Sequence, residues 1–329
     1  MRMVSFRIVE SSDPDDFVSR TLPTGRGVLV TEKGRFWAHS ELAKLGALLL
    51  ERRQEKLARI TRVSVAQPTI VFLTEPGPSG FIDGAEFGSG MVLALASDDT
   101  SHVTRTTGPS RWSAVALASE DIRATLQSSL GASGIWTKGS SIIVPPPDRL
   151  ARLRALHRSA FTLATTHAAE SIAPAREAEL QDALFGALVS CLERPIEVPK
   201  TLAEQRHRLI VRRFQELLED FPATNLYMPE ICQTLGVPGR TLRMACQNQL
   251  GLSPNRYQHL RRLHLARRIL QRENPEATTV TAIATSLGFW ELGRFSVLYR
   301  DMFGETPSMT LTNGHPGAIP RPPLLYGFA

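Results

Sequence analysis

The chain has 329 residues and a mass of 36.3 kDa, which exceeds one average domain and predicts two. Hydrophobic residues make up 42% and charged residues 21% of the sequence, and no apolar run approaches the ~18 residues of a membrane-spanning helix. The N-terminal sequence MRMVSFRIVE lacks the apolar core of a secretory signal. Three widely spaced cysteines, without a CxxC pair, exclude a disulfide framework and a cysteine zinc site. We therefore expect a cytoplasmic protein without a membrane partner.

The net charge of +6 is unevenly distributed. Residues 1–199 contain 22 basic and 22 acidic residues, whereas residues 200–310 contain 15 basic and 10 acidic residues. A localised basic surface favours a polyanionic partner, because neutralised phosphates release counterions. A solvated basic face without such a partner is the alternative at this point.

The first 147 residues contain short apolar runs between turn signals, and they predict a β-rich domain. The segment Ser40–Ile60 is ambiguous, because its Leu, Ala, Glu and Lys content is typical of a helix while a pair of strands is equally compatible with its pattern. Two amphipathic helices then follow Pro145–Pro147, from Asp148 to about Ala169 and from Pro174 to about Arg194. This helical hairpin and its linker occupy residues 148–199. Its apolar stripes are expected to pack either on their own domain or in a homodimer interface.

Residues 200–311 are predicted to be entirely helical and contain one layout twice. In the first copy, a short helix over Pro229–Leu235 leads into Gly236, Val237 is an apolar plug, and a second helix opens at Pro238–Gly239. The second copy has Thr278 or Thr279 as its N-cap, Gly288 at the turn, Phe289 as the plug and a helix from about Glu291 to Met302. Helix, glycine turn, plug and helix form a helix-turn-helix motif, whose second helix enters the major groove of DNA.

A single helix is predicted to connect the two copies. Ser253 is its N-cap and Pro254 its first residue, and it stops before Asn274–Pro275. Some twenty residues span on the order of 30 Å, close to the ~34 Å between successive major grooves on one side of DNA. One chain could thus place two helices in adjacent grooves and read an asymmetric site. The Pro- and Gly-rich residues 312–329 are predicted to be a disordered tail.

The C-terminal third resembles the DNA-binding region of AraC-type transcription regulators. The resemblance rests on residues that keep the family's spacing in both copies. In the first copy these are Ile231, Leu235–Gly236, Arg240–Thr241–Leu242, Leu250–Gly251, Ser253–Pro254, Arg262–Leu263, Ala266–Arg267 and Leu270. In the second they are Ile283–Ala284, Gly288–Phe289, Arg294–Phe295, Tyr299–Arg300, Phe303–Gly304 and Pro307.

Two positions of the first copy depart from the pattern of the AraC-type family. Met244 stands where the family often has Arg, and Cys246 stands where it usually has Phe. Within the family, the segments Gly288–Phe295 and Pro307–Leu311 resemble regulators of ethanolamine-utilisation operons.

The DNA contacts follow from the positions near the start of each recognition helix, which face the floor of the groove. An Arg there can bond guanine and a Glu can accept from cytosine, but each side chain could instead contact phosphate or pack locally. The candidate base-contacting residues are Arg240, Arg243, Met244, Gln247, Trp290, Glu291, Leu292, Arg294 and Val297. Ser253 and Thr306 precede prolines at helix starts whose amides suit phosphate.

The resemblance implies that residues 1–147 form a small barrel-like sensing domain with Ser40–Ile60 as strands. The candidate effector-binding residues are Phe36, Trp37, Phe72, Phe81 and Trp112, although aromatic residues of this kind are more often simple core. Only His39 and His102 precede residue 150, and they form no HxH pair, so we expect no metal, no cofactor and no barrel enzyme. A DNA-repair alkyl-acceptor protein is excluded because residues 1–190 contain no cysteine.

The sequence therefore predicts an α+β protein with a β-barrel-like sensing domain, a helical hairpin and an all-α tandem helix-turn-helix domain. Its predicted function is sequence-specific binding of double-stranded DNA as a transcription regulator, responsive to a small-molecule effector and acting on RNA polymerase. A constitutive DNA-binding protein whose N-terminal domain only dimerises is the alternative.

Overall fold

The computed structural model describes residues 6–21, 25–75, 77–97, 100–130, 139–166, 173–193, 196–199, 201–221 and 226–314. The N-terminal part consists mainly of two antiparallel sheets. The eight-stranded sheet has the order β1-β3-β4-β11-β6-β9-β12-β13, and the five-stranded sheet has the order β2-β5-β10-β7-β8. The strands are β1 Phe6–Ser11, β2 Gly25–Val30, β3 Ala38–Leu45, β4 Leu48–Glu55, β5 Arg59–Val63, β6 Thr69–Leu73, β7 Gly80–Ile82, β8 Ala85–Phe87, β9 Val92–Leu95, β10 His102–Thr106, β11 Ser110–Leu117, β12 Ser140–Val144 and β13 Ile196–Glu197.

The ambiguous segment at Ser40–Ile60 forms strands rather than a helix. β3 and β4 pair along their whole length, from Ala38 opposite Glu55 to Leu45 opposite Leu48. Gly46 takes a left-handed backbone conformation with φ of 55° in the two-residue turn between them. Pairing on both sides of β4 therefore overrides the helical propensity of its residues.

The helical hairpin covers one face of the eight-stranded sheet. It consists of α3 (Pro147–Thr166) and α4 (Pro174–Leu192), and a helix that the sequence analysis did not predict, α2 (Glu120–Leu130), lies beside it. Phe161 and Leu184 are buried together with Leu48 and Phe72 of the sheet. Both apolar stripes are thus buried against the domain to which the hairpin belongs.

The two sheets face each other in an open, barrel-like sandwich. Leu73 and Leu93 of the eight-stranded sheet share a buried cluster with Ile82 and Phe87 of the five-stranded sheet. The opposite face of the five-stranded sheet, together with α1 (Pro14–Arg20), packs on the C-terminal helices. The molecule is thus layered as hairpin, large sheet, small sheet and helical domain.

The C-terminal part contains seven helices among the described residues. They are α5 Leu202–Asp220, α6 Met228–Leu235, α7 Gly239–Leu250, α8 Pro254–Arg272, α9 Val280–Ser286, α10 Leu292–Phe303 and α11 Pro307–Asn313. α11 extends two residues into the segment predicted as a tail, and residues 315–329 lie outside the described part. No helix in the described ranges is long and apolar enough to cross a bilayer.

Candidate nucleic-acid interface

The first helix-turn-helix motif consists of α6 and α7. α6 ends at Gly236, whose φ of 65° is left-handed and whose amide bonds the carbonyl groups of Cys232 and Gln233. Leu242 and Cys246 of α7 are completely buried in the shared core. Burial raises the pKa of the Cys246 thiol to about 12, so this smaller replacement for an aromatic ring is an uncharged core group.

The predicted reading residues of α7 form one exposed stripe. Arg240, Arg243, Met244 and Gln247 are all exposed and follow the spacing i, i+3, i+4, i+7 of one helix face. Among the described residues, neither arginine forms an ion pair, so both guanidinium groups are available to phosphate or guanine. Met244 is 52% exposed and adds an apolar contact to this stripe.

The second motif consists of α9 and α10 with the same construction. Thr279 is the N-cap of α9, and its hydroxyl accepts a hydrogen bond from the amide of Ala282 at 3.1 Å. Gly288 has φ of 76°, and the Phe289 ring packs 4.8 Å from the ring of Phe295. The plug residue therefore joins the core beneath the recognition helix, as its place after the glycine predicts.

The second recognition helix carries a different surface. Trp290 is 78% exposed, and Val297 and Arg294 are exposed beside it. Glu291 is exposed too and lies 3.9 Å from Arg294, an exposed pair of small energetic value. Leu292 differs from the other candidates, because it is partly buried against the core and thus presents less surface to DNA.

Two predicted caps lie at starts of helices. The Ser253 hydroxyl accepts from the amide of Arg256 at 3.3 Å, and the Thr306 hydroxyl accepts from the amide of Met309 at 3.2 Å. Each side chain leaves other first-turn amides of its helix for an anion such as a phosphate.

The connecting helix α8 places positive charge between the motifs. Burial and then the charges of Arg262, Arg256 and Arg294 lower the pKa of His259. Arg262 also lies over the Phe289 ring, 5.2 Å from its centre. Cations from the connecting helix and the second recognition helix therefore converge around one histidine, which is the electrostatic pattern of a polyanion site.

Other arginines of α8 bind the N-terminal domain, so they are not part of the DNA surface. Arg268 forms a bidentate pair with Asp15 at 2.6 and 2.7 Å, and Gln271 donates to Asp13 at 2.7 Å. His264 bonds the carbonyl oxygen of Val30 at 2.9 Å, and burial lowers its pKa to about 3, so it is neutral. The rod between the motifs is thereby fixed to α1 and β2.

The first motif also rests on the small sheet. The Gln249 amide near the end of α7 donates to the carbonyl oxygen of Asp83 at 2.8 Å. Asp83 forms the β7–β8 turn with φ of 48°, and its buried carboxylate lies 2.7 Å from His102. A Cβ on Gly84 would collide with Asn248, so this turn fits closely against the helix. The sequence did not predict this contact, although its Asp-Gly pair is a hairpin signal.

A cavity of about 110 Å³ lies between the two sheets, on the other side of that same small sheet. Trp112 and Phe81 are among its lining residues. The Phe81 ring itself is on the face of the small sheet away from the cavity, because Phe81 pairs with Arg105 and lies under its guanidinium. The other three candidates lie elsewhere. Phe36 and Phe72 are buried in separate core clusters, and Trp37 donates to Glu10 at the surface. Aromatic composition could not distinguish these faces, because the side that a strand residue faces depends on its pairing register.

Within the ranges that the structure describes, no three His, Cys, Asp or Glu side chains are grouped as a metal site. The geometry instead defines two exposed recognition helices on one rigid rod, which is the architecture of a tandem helix-turn-helix DNA-binding domain.

Comparison with known proteins identifies this domain further. Residues 231–313 match the family model of a helix-turn-helix domain. The probable thc operon regulatory protein of Rhodococcus erythropolis is 36% identical over 102 residues, which are 31% of this chain and 31% of that protein. An XylDLEGF operon transcriptional activator of Pseudomonas putida is 30% identical over 99 residues, 30% of this chain and 31% of that protein.

Among solved structures, a probable AraC family transcriptional regulator from Rhodopseudomonas palustris CGA009 is 36% identical, with 33% of this chain and 99% of that chain covered and a TM-score of 0.30. The C-terminal segment is thus a helix-turn-helix domain. The chain spans about a third of the length of the curated relatives that it matches.

Proposed function

We propose that the protein is a sequence-specific, DNA-binding transcription regulator whose DNA binding responds to a small molecule in the cavity between its sheets. The observation that carries the first part is the pair of exposed recognition faces joined by α8. Its 19 residues span about 28 Å, which suits two helices in successive major grooves. The relatives named as operon regulators and activators support the same function.

The response to a small molecule is supported by the layering of the molecule. The small sheet forms one wall of the cavity, and its outer surface bears the first motif through Asp83 and Gln249. A ligand that shifts β7 or β10 would therefore change the support of α7. We propose that this displacement changes the orientation in which the first motif binds DNA, and thereby changes the recruitment of RNA polymerase.

Two narrower aspects are part of this proposal. The protein acts in the cytoplasm with its operator DNA. A homodimer that formed through the hairpin would have to use the outward face of the hairpin, because its apolar stripes are buried on the large sheet. The resemblance to ethanolamine-operon regulators stays a hypothesis, so ethanolamine is one of the compounds to be tested.

Footprinting of the full chain on the DNA that flanks its gene, with a salt titration, tests the function. We expect protection over two successive turns on one face of the duplex, with an affinity that falls steeply with salt. Protection of only one turn would contradict the paired-motif geometry. Uniform protection at all sequences, with and without added compounds, would contradict sequence-specific binding.

A further inference from the structure

The cavity between the sheets has the size of a single six-membered ring. Its volume is about 110 Å³, and its walls include Val63, Val71, Leu73, Leu95 and Trp112. An apolar protein cavity of roughly 150 Å³ binds benzene. The space therefore limits a ligand to one ring with a small substituent.

Arg53 and Arg59 line the cavity, and each of them is already paired with a buried glutamate. Arg53 donates to Glu51 at 2.8 Å, and Arg59 forms an ion pair with Glu55. Both carboxylates are almost completely buried, at 0% and 1% exposure. Two arginines and two glutamates leave no net charge for a ligand to balance.

A third arginine, Arg105, is part of the same wall but directs its guanidinium away from the cavity. Arg105 alternates with Thr104 and Thr106 along β10, so its side chain leaves the sheet on the opposite face. Its guanidinium lies over the Phe81 ring, 3.7 Å from the centre, and would meet a Cβ on Gly251 at the end of α7. Arg105 is therefore a contact between domains.

One hydroxyl group in the cavity wall lacks a hydrogen-bond partner among the described residues. Thr61 is only 8% exposed, and its Oγ1 has no donor or acceptor within reach. The neighbouring threonines differ, because Thr104 Oγ1 donates to the carbonyl oxygen of Thr61 at 3.3 Å and Thr106 Oγ1 accepts from Arg59 at 3.2 Å. A buried polar atom of this kind normally has a partner, so Thr61 marks the position of a polar ligand atom.

We propose that the cavity binds an uncharged single-ring compound that carries one hydroxyl group, held by a hydrogen bond to Thr61 Oγ1. Its role as the effector rests on the proposed function. A ring carboxylate would meet Arg53 and Arg59, whose charges Glu51 and Glu55 already balance, and an ammonium group would be repelled by the same two arginines. Neither charged class fits the wall.

Isothermal titration calorimetry of the full chain with phenol, toluene, benzoate and ethanolamine tests the proposal. We expect saturable 1:1 binding of phenol, weaker binding of toluene, and no binding of benzoate or ethanolamine. Thr61→Val should weaken phenol binding about fivefold and leave toluene binding unchanged, because it removes only the hydroxyl group. Thr61→Ser retains that group and should restore phenol binding.

Thr104→Val is the matched control, because its hydroxyl already has a partner. It should leave the affinity for phenol within about twofold of the wild-type value. Absence of phenol binding, equal phenol affinity of Thr61→Val and Thr61→Ser, or tighter binding of benzoate or ethanolamine would overturn the proposal.

Footprinting of the same preparations separates this inference from the proposed function. Phenol binding without any DNA protection would leave the cavity assignment standing and contradict the regulator. A normal footprint without phenol binding would leave the proposed regulator function standing and contradict the cavity assignment.

Discussion

The two helix-turn-helix motifs share one backbone plan, but they differ in charge and in packing. Five residues before its C-terminal glycine, the first recognition helix has Cys246 and the second has Tyr299, and both are fully buried. The first presents two arginines that form no ion pair with any described residue, whereas the second presents Trp290 and an arginine beside a glutamate. We therefore propose that the first contributes mainly electrostatic attraction to DNA and the second mainly shape and apolar contact.

The attachments of the motifs to the N-terminal domain differ as well. The first is held at the β7–β8 turn, on the wall of the cavity. The second is held away from the cavity, where the amide of Gly34 donates to the carbonyl oxygen of Met302 at 3.1 Å and Lys33 pairs with Asp301 at 2.8 Å. Two copies of one motif can therefore be attached to the N-terminal domain in different ways, because tertiary contacts need not follow the sequence repeat.

The largest expected effect is on the core of the second motif. Tyr299→Ala removes a buried ring and its hydrogen bond to Thr310 at 2.9 Å, and should lower the free energy of unfolding by ~3–5 kcal/mol. Cys246→Ala at the corresponding position should cost only about 1 kcal/mol, because it removes one atom. Urea denaturation of both variants measures the difference, and equal costs would show that the two cores are packed alike.

The next effect is on the charge of the first motif. Arg240→Ala combined with Arg243→Ala should weaken DNA binding on the order of 30-fold or more and reduce the slope of log K against log salt by about 2. Arg206→Ala, a change of an exposed arginine on α5, is the control and should leave the slope unchanged. An unchanged slope in the double variant would assign the electrostatic attraction to another surface.

The attachment of α8 should depend on pH. The pKa of His264 is about 3 in the folded protein against an ordinary value of 6.5, so unfolding takes up a proton below pH 6.5. Its contribution to stability is present above pH 6.5 and decreases as the pH falls, with a loss on the order of 2 kcal/mol at pH 5. His264→Gln retains a donor for Val30, and should show a smaller loss than the wild-type protein between pH 7 and pH 5 in urea denaturation.

The smallest effect concerns one base position of the second motif. Arg294→Ala should relax the preference at a single base pair at a cost of ~1–3 kcal/mol, with little change in salt dependence. Binding to a set of single-base operator variants measures this. If base preference is retained throughout, Arg294 contacts only the backbone of DNA.

The sequence by itself determined the C-terminal architecture, because its signals are local. Caps such as Ser253, the left-handed glycine at 236 and the spacing of Arg240, Arg243 and Gln247 each act within a few residues of chain. The exposed stripe and both helix turns therefore follow from short-range stereochemistry.

Only the tertiary structure decided the remainder. β3 and β4 are strands because their neighbours pair with them, against the helical propensity of their residues. Pairing register also directed Trp112 into the cavity and buried Phe72 on the hairpin side of the same sheet. The ion pairs of Arg268 and the bond of Gln249 to Asp83 join residues more than 150 positions apart, and no local pattern encodes such contacts.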